Sequence, residues 1–364
     1  MRYIGNKTRL IPFLLQTLEK LGVAPGVAAD PFAGTASVGS ALKRGGWKVH
    51  AGDLMAASYA LQVARIALDT APHFPPMLLQ AGPLGKGARP IPYGEVVSRL
   101  DAIPPSHGFV TEHYTPAGAE GAKHGRMYFS ERNAGRIDAI RARIAEWSEG
   151  ARIDHARHQL LVATLIEAAD RVANTTGVYA SFVKTWQPNA LRPLELRPLP
   201  ITRALNRASG STAFHGHALD LLGRLSPLDL VYLDPPYNSR QYPGYYHIPE
   251  LLATGWDPPP PLRGKTGLIP DSGRRSDWCR KGKAESALRR LLEGADARHI
   301  LLSYNDEGLL PRPVIEAALR ERGQPDTYRC FEHRYRRYRS DSDGPSRAYS
   351  RDRVSEQLHY VRAR

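Results

Sequence analysis

The spacing of apolar residues near the start of the chain alternates between helical and strand-like periods. Apolar side chains recur every three or four positions from residue 10 and stop at Gly22, which predicts a helix. Short apolar runs that follow predict buried strands, separated by further helical stretches. The predicted elements are helices at 10–21, 35–44 and 56–68 and strands at 27–29 and 47–51. Such alternation is typical of a Rossmann-like α/β fold whose sheet is mostly parallel.

This alternation is interrupted in the middle of the chain. Residues 71–115 are rich in proline and glycine and show little periodicity, whereas helical spacing returns at 131–146 and 155–172. Strand-like runs resume at 213–216, 229–233, 299–304, 328–335 and 357–361. We therefore predict a sheet divided in sequence: residues 1–71 form the first part of a catalytic domain, 72–200 a partly helical insert, and 201–364 the second part.

Composition limits the class of protein. The 364 residues include 50 Lys and Arg against 36 Asp and Glu, a formal charge of +14 that favours a polyanionic partner such as nucleic acid. A general excess of arginine would give the same balance. Two cysteines, with no C-x-x-C pair, indicate neither a zinc ribbon nor a disulfide framework. We find no signal peptide and no membrane span in the sequence, and expect a soluble, cytoplasmic, nucleoid-associated protein that needs no metal.

A candidate catalytic motif follows the strand predicted at 229–233. Asp234-Pro235-Pro236-Tyr237 lies where wound α/β sheets place their chemistry. A carboxylate and a rigid proline carbonyl are two acceptors for the hydrogens of an exocyclic base amine, and Tyr237 offers a flat face to a base rotated out of a duplex. The alternative is a strand that ends in a plain proline turn. The aromatic, amide and basic residues that follow, from Asn238 to His247, favour the catalytic interpretation.

A candidate cofactor site lies at the first predicted strand–helix junction. Asp30-Pro31-Phe32-Ala33-Gly34-Thr35 contains a glycine that permits a tight turn and close approach of a ligand. Asp53, with its neighbour Leu54, follows the second strand, where an acid binds ribose hydroxyls. Asp220 follows another strand-like run and is either an acceptor for an adenine amine or a helix cap.

Two groups of residues are candidate DNA contacts. Lys184, Trp186, Gln187 and Arg192 lie close together in a mixed segment, and glutamine and arginine side chains read base edges. In the basic and aromatic stretch at 334–339, alternate residues of a strand place arginines on one face along a phosphate backbone. A basic edge strand that resists aggregation is the alternative. The further arginines assigned to DNA contact are Arg240, Arg336, Arg337 and Arg339.

Three motifs in this order resemble a known family. Tyr3-Ile4-Gly5-Asn6-Lys7, the turn at 30–35 and Asp234-Pro235-Pro236-Tyr237 are similar to those of the Dam-like (alpha-group) amino-methylating DNA methyltransferases. The resemblance implies S-adenosylmethionine as methyl donor and double-stranded DNA as substrate. A cognate restriction endonuclease is a further possible partner. The second glycine of the usual cofactor turn is Ala36 here.

The resemblance also implies roles for particular residues. Tyr3, Asn6 and Lys7, together with the turn at 30–35, would hold the methionine part of the cofactor; Lys7 is a candidate to meet its carboxylate. Asp53 would bind the ribose and Asp220 the cofactor adenine. The insert would recognise the target sequence, and residues 303–306 would border the target-base pocket.

Adenine N6 is the favoured target, but the sequence leaves alternatives open. Methylation of cytosine N4 uses the same amine chemistry, so only the shape of the pocket separates the two. RNA or protein-amide methylation usually places Asn at the position of Asp234, and an inactive DNA-binding homologue would not need Gly34, Asp53 and Tyr237 intact. The oligomeric state stays undecided.

Overall fold

The computed structural model describes residues 1–78, 89–205, 209–225, 227–270, 275–336 and 353–364. The chain divides into two compact units, each assembled from separate segments. The helical unit comprises Met1–Gly5, Met55–Arg203 and Tyr242–Gly273. The sheet unit comprises Asn6–Leu54, Ala204–Gln241 and Arg274–Arg364.

The helices and strands account for most of the described chain. The α-helices are α1 Ile11–Lys20, α2 Ser37–Arg44, α3 Ala56–Gln62, α4 Tyr93–Asp101, α5 Phe109–Tyr114, α6 Ala119–Lys123, α7 Glu131–Glu149, α8 His155–Val172, α9 Ala218–Leu222, α10 Tyr242–Tyr245, α11 His247–Thr254, α12 Ala284–Glu293 and α13 Arg312–Arg322. The strands are β1 Val27–Asp30, β2 Lys48–Asp53, β3 His73–Phe74, β4 Ile91–Pro92, β5 Thr212–His215, β6 Leu228–Leu233, β7 Ala297–Asn305, β8 Arg329–Arg336 and β9 Arg353–Arg362.

The sheet unit is built on seven strands in the order β5-β2-β1-β6-β7-β9-β8. The pairs from β5 to β7 are parallel, and β9 joins β7 and β8 in antiparallel fashion. Ala29 of β1 is aligned with His50 of β2 and with Val231 of β6, so β1 lies between the two strands. The predicted fold class, a mostly parallel Rossmann-like sheet, is confirmed.

The central strand β6 is apolar because both faces of the sheet are covered. Leu230, Val231 and Leu233 are completely buried. Such a continuous apolar run is expected for a parallel strand between two helical layers. The apolar faces of α12 and α13 pack in the same core through Leu288 and Ile315. This packing fixes the position of β6 and therefore of the residues that follow Leu233.

The helical unit has its own core. Helices α7 and α8 begin where Ser130 and Asp154 cap them by accepting from the backbone N–H of Asn133 and Arg157, respectively. A buried carboxylate from elsewhere in the unit starts another helix: Glu250 accepts from the first two N–H groups of α3, at 3.1 and 3.0 Å. Donors at helix starts that lack a partner within the helix are thus satisfied by adjacent caps in α7 and α8 and by a side chain distant in sequence in α3.

The predicted domain boundaries differ from the two units. Residues 55–71, predicted to belong with the sheet, lie in the helical unit, as does the segment Tyr242–Gly273 beyond the predicted insert. The spacing of apolar residues predicts that α3 is a helix. It does not indicate whether α3 packs in the core of the sheet unit or of the helical unit. The role of the helical unit in target recognition stays a prediction.

Most predicted elements are confirmed within a few residues, with exceptions. The stretch at 71–115, predicted to be irregular, contains α4, in which Val96, Val97 and Leu100 form a buried stripe. The prolines and glycines on either side of α4 conceal the helical spacing of its apolar residues. The helix predicted at 56–68 is α-helical only to Gln62 and continues as a π-turn at Val63–Ala67. Helices α11, α12 and α13 were not predicted from the sequence.

Within the described residues, no helix is both long enough and apolar enough to cross a membrane.

Candidate active site

Three acidic residues meet at the carboxyl end of the sheet. Asp30 ends β1, Asp53 ends β2 and Asp234 directly follows β6. These strands are neighbours and parallel, so their ends share one edge. The three acidic side chains therefore lie at one edge of the sheet, as the order of the predicted strands indicated.

Asp234 faces the ammonium group of Lys7. The distance from Lys7 Nζ to Asp234 Oδ1 is 3.2 Å, and 16% of the Asp234 side chain is exposed. Burial raises the pKa of Asp234 to about 7; Lys7 opposes the rise and the negative charge of Glu356 adds to it. Asp234 therefore changes charge near neutral pH.

Lys7 is shared between two carboxylates. Its ammonium donates to Glu356 Oε1 as well as contacting Asp234, and Ser303 Oγ donates to the same Glu356 oxygen at 2.5 Å. Burial opposes the charged form of Lys7, but the two carboxylates outweigh it and raise the pKa of the lysine. The structure thus places the predicted carboxylate-binding lysine against carboxylates of the protein itself.

The turn after β1 is held by hydrogen bonds from both sides. Gly34 N donates to Asp53 Oδ2 at 3.0 Å, and Asn6 Nδ2 donates to Thr35 Oγ1 at 3.2 Å. Gly34 has a φ of 50° and Ala36 a φ of 61°, both left-handed. Ala36 therefore occupies a conformation that suits glycine, which explains why a second glycine is usual at this position.

Asp30 is buried at the centre of this edge, with 2% of its surface exposed. Its Oδ1 has no hydrogen-bond partner among the residues described. Burial and the nearby Asp234 carboxylate raise the pKa of Asp30 well above its usual range. A bound cation would favour the ionised form of Asp30 and compensate its charge. In the described part of the chain, no group of His, Cys, Asp or Glu side chains is arranged to hold a metal ion.

Aromatic rings surround the motif. The ring of Tyr237 meets that of Tyr304, on β7, edge to face at 6.3 Å, and Lys7 Nζ lies 5.7 Å from the centre of the Tyr237 ring. Phe32, in the turn after β1, packs edge-on against Trp278 at 5.4 Å. Segment 303–306, expected to border the target-base pocket, thus supplies a ring that orients Tyr237.

Several other predicted cofactor residues lie in different surroundings. Tyr3 belongs to the helical unit, where its ring stacks on Tyr246 at 4.5 Å. Leu54 ends the first segment of the sheet unit, and its carbonyl is 3.2 Å from Nε2 of His215. Asp220 is exposed inside α9, whose N-cap is His217, so the alternative that Asp220 caps a helix is wrong.

The predicted DNA contacts are divided between the units. The first group lies in the helical unit, with Lys184 and Arg192 exposed and Trp186 and Gln187 half-buried. Arg240, in the sheet unit, is exposed. Arg336 ends β8, the edge strand of the sheet, whereas Arg337 and Arg339 lie outside the described residues. An edge position agrees with both interpretations of the basic stretch.

Lys184 also lines an open cleft of about 990 Å³ in the helical unit. Phe109, Phe182 and Leu262 supply part of its wall. Arg126 is fixed within it by hydrogen bonds to the carbonyls of His113, Gly264 and Lys265. The basic side chains and histidines that line this cleft are His113, Lys123, His124, Arg126, Lys184 and Lys265, and the carboxylate of Glu120 lines it as well.

Glu356, Trp278 and most of the cleft were not predicted from the sequence. Glu356 gives no local signal of a buried role, because it lies between the polar residues Ser355 and Gln357 of β9. No local pattern connects it with Lys7, which lies 349 positions away.

Comparison with known proteins gives one consistent result. The family model described as D12 class N6 adenine-specific DNA methyltransferase matches residues 3–312. Type II methyltransferase M.NlaIII of Neisseria lactamica is 33% identical over 364 residues, covering 99% of each chain. Type II methyltransferase M.FokI of Planomicrobium okeanokoites is 36% identical over 93% of this chain and 50% of its own length. Modification methylase StsI of Streptococcus sanguinis is 32% identical over 93% and 49%. The chain spans about half the length of the last two relatives.

Proposed function

The chain belongs to the D12 class of N6 adenine-specific DNA methyltransferases, and we propose that it methylates adenine N6 at a specific DNA sequence with S-adenosylmethionine as donor. The observation that supports this proposal most strongly is the position of Asp234-Pro235-Pro236-Tyr237 at the end of β6, beside the strand ends that bear Asp30 and Asp53. The two sites that we propose, one for a cationic donor and one for an amine, are therefore assigned to one edge of the sheet unit.

The chemistry required of the protein is activation of a weak nucleophile. The amine lone pair of adenine is delocalised into the ring, so the nitrogen must become pyramidal before it can attack. We assign the two amine hydrogens to the Asp234 carboxylate and the Pro235 carbonyl. Pro235 is buried and Pro236 follows it, so the backbone that carries this carbonyl is rigid. Positioning, rather than acid–base chemistry, supplies most of the acceleration.

The target base must leave the duplex to reach this edge. We assign stacking of the extruded adenine to Tyr237, whose ring is held by Tyr304. Asp234 is partly exposed, so its carboxylate is accessible from solvent. This arrangement supports base flipping as the mode of access.

The residues around Asp30 fit S-adenosylmethionine. The Asp30 oxygen without a partner suits a cationic group, and Asp53 suits ribose hydroxyls. We propose that Asn6, Pro31, Phe32, Gly34 and Thr35 line the same site, with Lys7, Tyr3, Leu54 and Asp220 as further candidates. The bound donor supplies a methyl group on a sulfonium that is already activated. We propose that Asp30, Asp53 and Asp234 lie beside that cation, whose positive charge favours the ionised form of the buried Asp30.

We propose that the cleft of the helical unit contacts the DNA backbone. Its exposed lysines, Lys123, Lys184 and Lys265, provide point charges for phosphates, and the buried Arg126 adds a fixed positive charge behind them. Arg192, Trp186 and Gln187 are candidates for base contacts in the same unit, and Arg240, Arg336, Arg337 and Arg339 for backbone contacts in the sheet unit. A cognate restriction endonuclease is a proposed partner, because the relatives are named type II or modification enzymes. A DNA substrate places the enzyme with the nucleoid.

Base-resolution mapping of methyl groups tests this function. DNA from cells that express the chain should carry N6-methyladenine at one short recognition sequence, and DNA from cells expressing Asp234→Ala should carry none there. Detection of N4-methylcytosine instead would overturn the assignment of the target base. Equal methylation of RNA in competition with DNA would overturn the substrate.

A further inference from the structure

Glu356 is a buried carboxylate for which the proposed chemistry has no role so far. It lies on β9, with 1% of its surface exposed, and its Oε1 receives hydrogen bonds from the Lys7 ammonium and from Ser303 Oγ. A buried carboxylate is strongly destabilising unless it is paired and hydrogen-bonded. Both conditions are met here through residues that also border Asp234.

Lys7 contacts both carboxylates. Its ammonium donates to Glu356 Oε1 and lies 3.2 Å from Asp234 Oδ1. Glu356 is itself held by Ser303 on the neighbouring strand β7, so its position is set by the sheet. Glu356 therefore anchors the ammonium, and Asp234 lies beside an ammonium that is already fixed.

We propose that Glu356 is a positioning residue for methyl transfer, which holds the Lys7 ammonium beside Asp234 and prevents it from closing onto that carboxylate. The inference rests on the proposed role of Asp234 as acceptor for the amine hydrogens. A lysine bonded fully to Asp234 would compete with the amine for the same oxygens. An anchored lysine still compensates the charge of Asp234 while leaving it able to accept.

The charges around Asp234 determine how removal of Glu356 would be observed. The titratable groups that act electrostatically with Asp234 are Lys7, Glu356, Asp30, Tyr232 and Tyr237. With Lys7, Asp234 and Glu356 all ionised, the triad carries one net negative charge. Glu356→Gln removes a negative charge that raises the pKa of Asp234 and releases Lys7 to pair with Asp234 alone. Both effects lower the pKa of Asp234.

The experiment is single-turnover methyl transfer at saturating S-adenosylmethionine and DNA, measured from pH 5.5 to pH 9. For Glu356→Gln we expect the plateau rate at high pH to fall about tenfold or more, a barrier increase of roughly 1.4 kcal/mol. The midpoint of the profile, which is the pH at which the rate falls to half of its plateau, should also decrease. The decrease should be about one pH unit if the charge interaction that is removed amounts to about 1.4 kcal/mol.

Two variants separate charge from packing. Glu356→Asp keeps the charge but shortens the anchor, so its plateau should fall while its midpoint stays near that of the parent. Ser303→Ala removes a neutral hydrogen-bond donor and should likewise leave the midpoint unchanged. If Glu356→Gln loses rate without any shift of the midpoint, the residue is merely structural and the proposal is overturned.

Other outcomes are equally informative. A Glu356→Gln protein with parental rate and midpoint also overturns the proposal, provided that Asp234→Ala is inactive in the same assay. Activity retained by Asp234→Ala would instead overturn the proposed function. If Glu356→Gln fails to fold, as judged by its melting transition, the pH profile of Glu356→Asp decides. A plateau rate of Glu356→Asp equal to that of the parent protein then overturns the proposal that Glu356 anchors Lys7.

Discussion

Lys7 Nζ and Asp234 Oδ1 lie 3.2 Å apart. The amino-terminal segment of the sheet unit thus places a cation beside the motif that follows β6. This pair sets the charge state of the catalytic candidate, because burial alone would favour the neutral carboxyl group. Lys7 opposes that tendency but does not cancel it, and the pKa of Asp234 is raised to about 7.

The first prediction concerns pH. Asp234 must be ionised to accept amine hydrogens, and its carboxyl group is protonated below its pKa of about 7. We therefore expect kcat/KM to fall as pH decreases through about 7, with an apparent slope of roughly one, since kcat/KM reports ionisations of the free enzyme. Steady-state kinetics from pH 5.5 to pH 8.5 measures this. A profile flat between pH 6 and pH 8 would contradict it.

The second prediction concerns Tyr237. If its ring stacks on the extruded base, Tyr237→Ala should weaken binding of the flipped state by about 1–3 kcal/mol. The matched control is Tyr237→Phe, which keeps the ring and should keep stacking. A fluorescent base analogue at the target position reports extrusion as an increase in emission. An increase for Tyr237→Ala equal to that of the parent protein would exclude this role.

The third prediction concerns the turn after β1. Gly34 has a φ of 50°, and its N–H donates to Asp53. Gly34→Ala adds a methyl group where the donor is proposed to approach, and should weaken binding of S-adenosylmethionine about tenfold, equivalent to roughly 1.4 kcal/mol. Isothermal titration calorimetry measures this.

Backbone strain alone would also lower stability, so a matched control is needed. Gly22 has a φ of +67° and nothing within 4 Å of the position that a side chain would take. Gly22→Ala should therefore reproduce the decrease in stability, of order 1 kcal/mol, with normal donor affinity. Equal donor affinities for the two variants would argue against the proposed site.

The fourth prediction concerns the cleft of the helical unit. Replacing Lys123, Lys184 and Lys265 together by glutamine should weaken DNA binding and reduce the slope of log K against log salt by about 0.9 for each phosphate that is no longer neutralised. Arg132→Gln removes an exposed charge from α7 outside the cleft and serves as control. Fluorescence anisotropy at several salt concentrations measures both. A slope unchanged in the triple variant would eliminate the cleft as a DNA site.

The residues whose positions sequence predicts correctly are those placed by local context. Asp234 and Asp53 are placed by the strands that precede them, and the ends of adjacent parallel strands share an edge. Local pattern is enough for such residues, because a buried strand and the turn after it are contiguous in sequence.

The residues that sequence does not predict depend on packing between distant segments. Glu356 and Lys7 are 349 positions apart in sequence, and no local pattern determines their pairing. Tyr3, four residues before Lys7, belongs to the other unit because its ring packs on Tyr246. The helical period of α3 predicted a helix correctly but could not show that Glu250, far along the chain, caps it.

The most direct test of the central claim is methyl transfer by Asp234→Ala under single-turnover conditions, with donor binding measured on the same preparation. Removal of the carboxylate should reduce transfer to adenine by at least 10²–10³-fold, the effect of removing a preorganised polar group in other enzymes, roughly 2.7–4 kcal/mol. S-adenosylmethionine should still bind. Asp326→Ala, an exposed aspartate of the sheet unit, should behave as the parent protein. Transfer by Asp234→Ala at the parental rate would show that the carboxylate does not activate the amine.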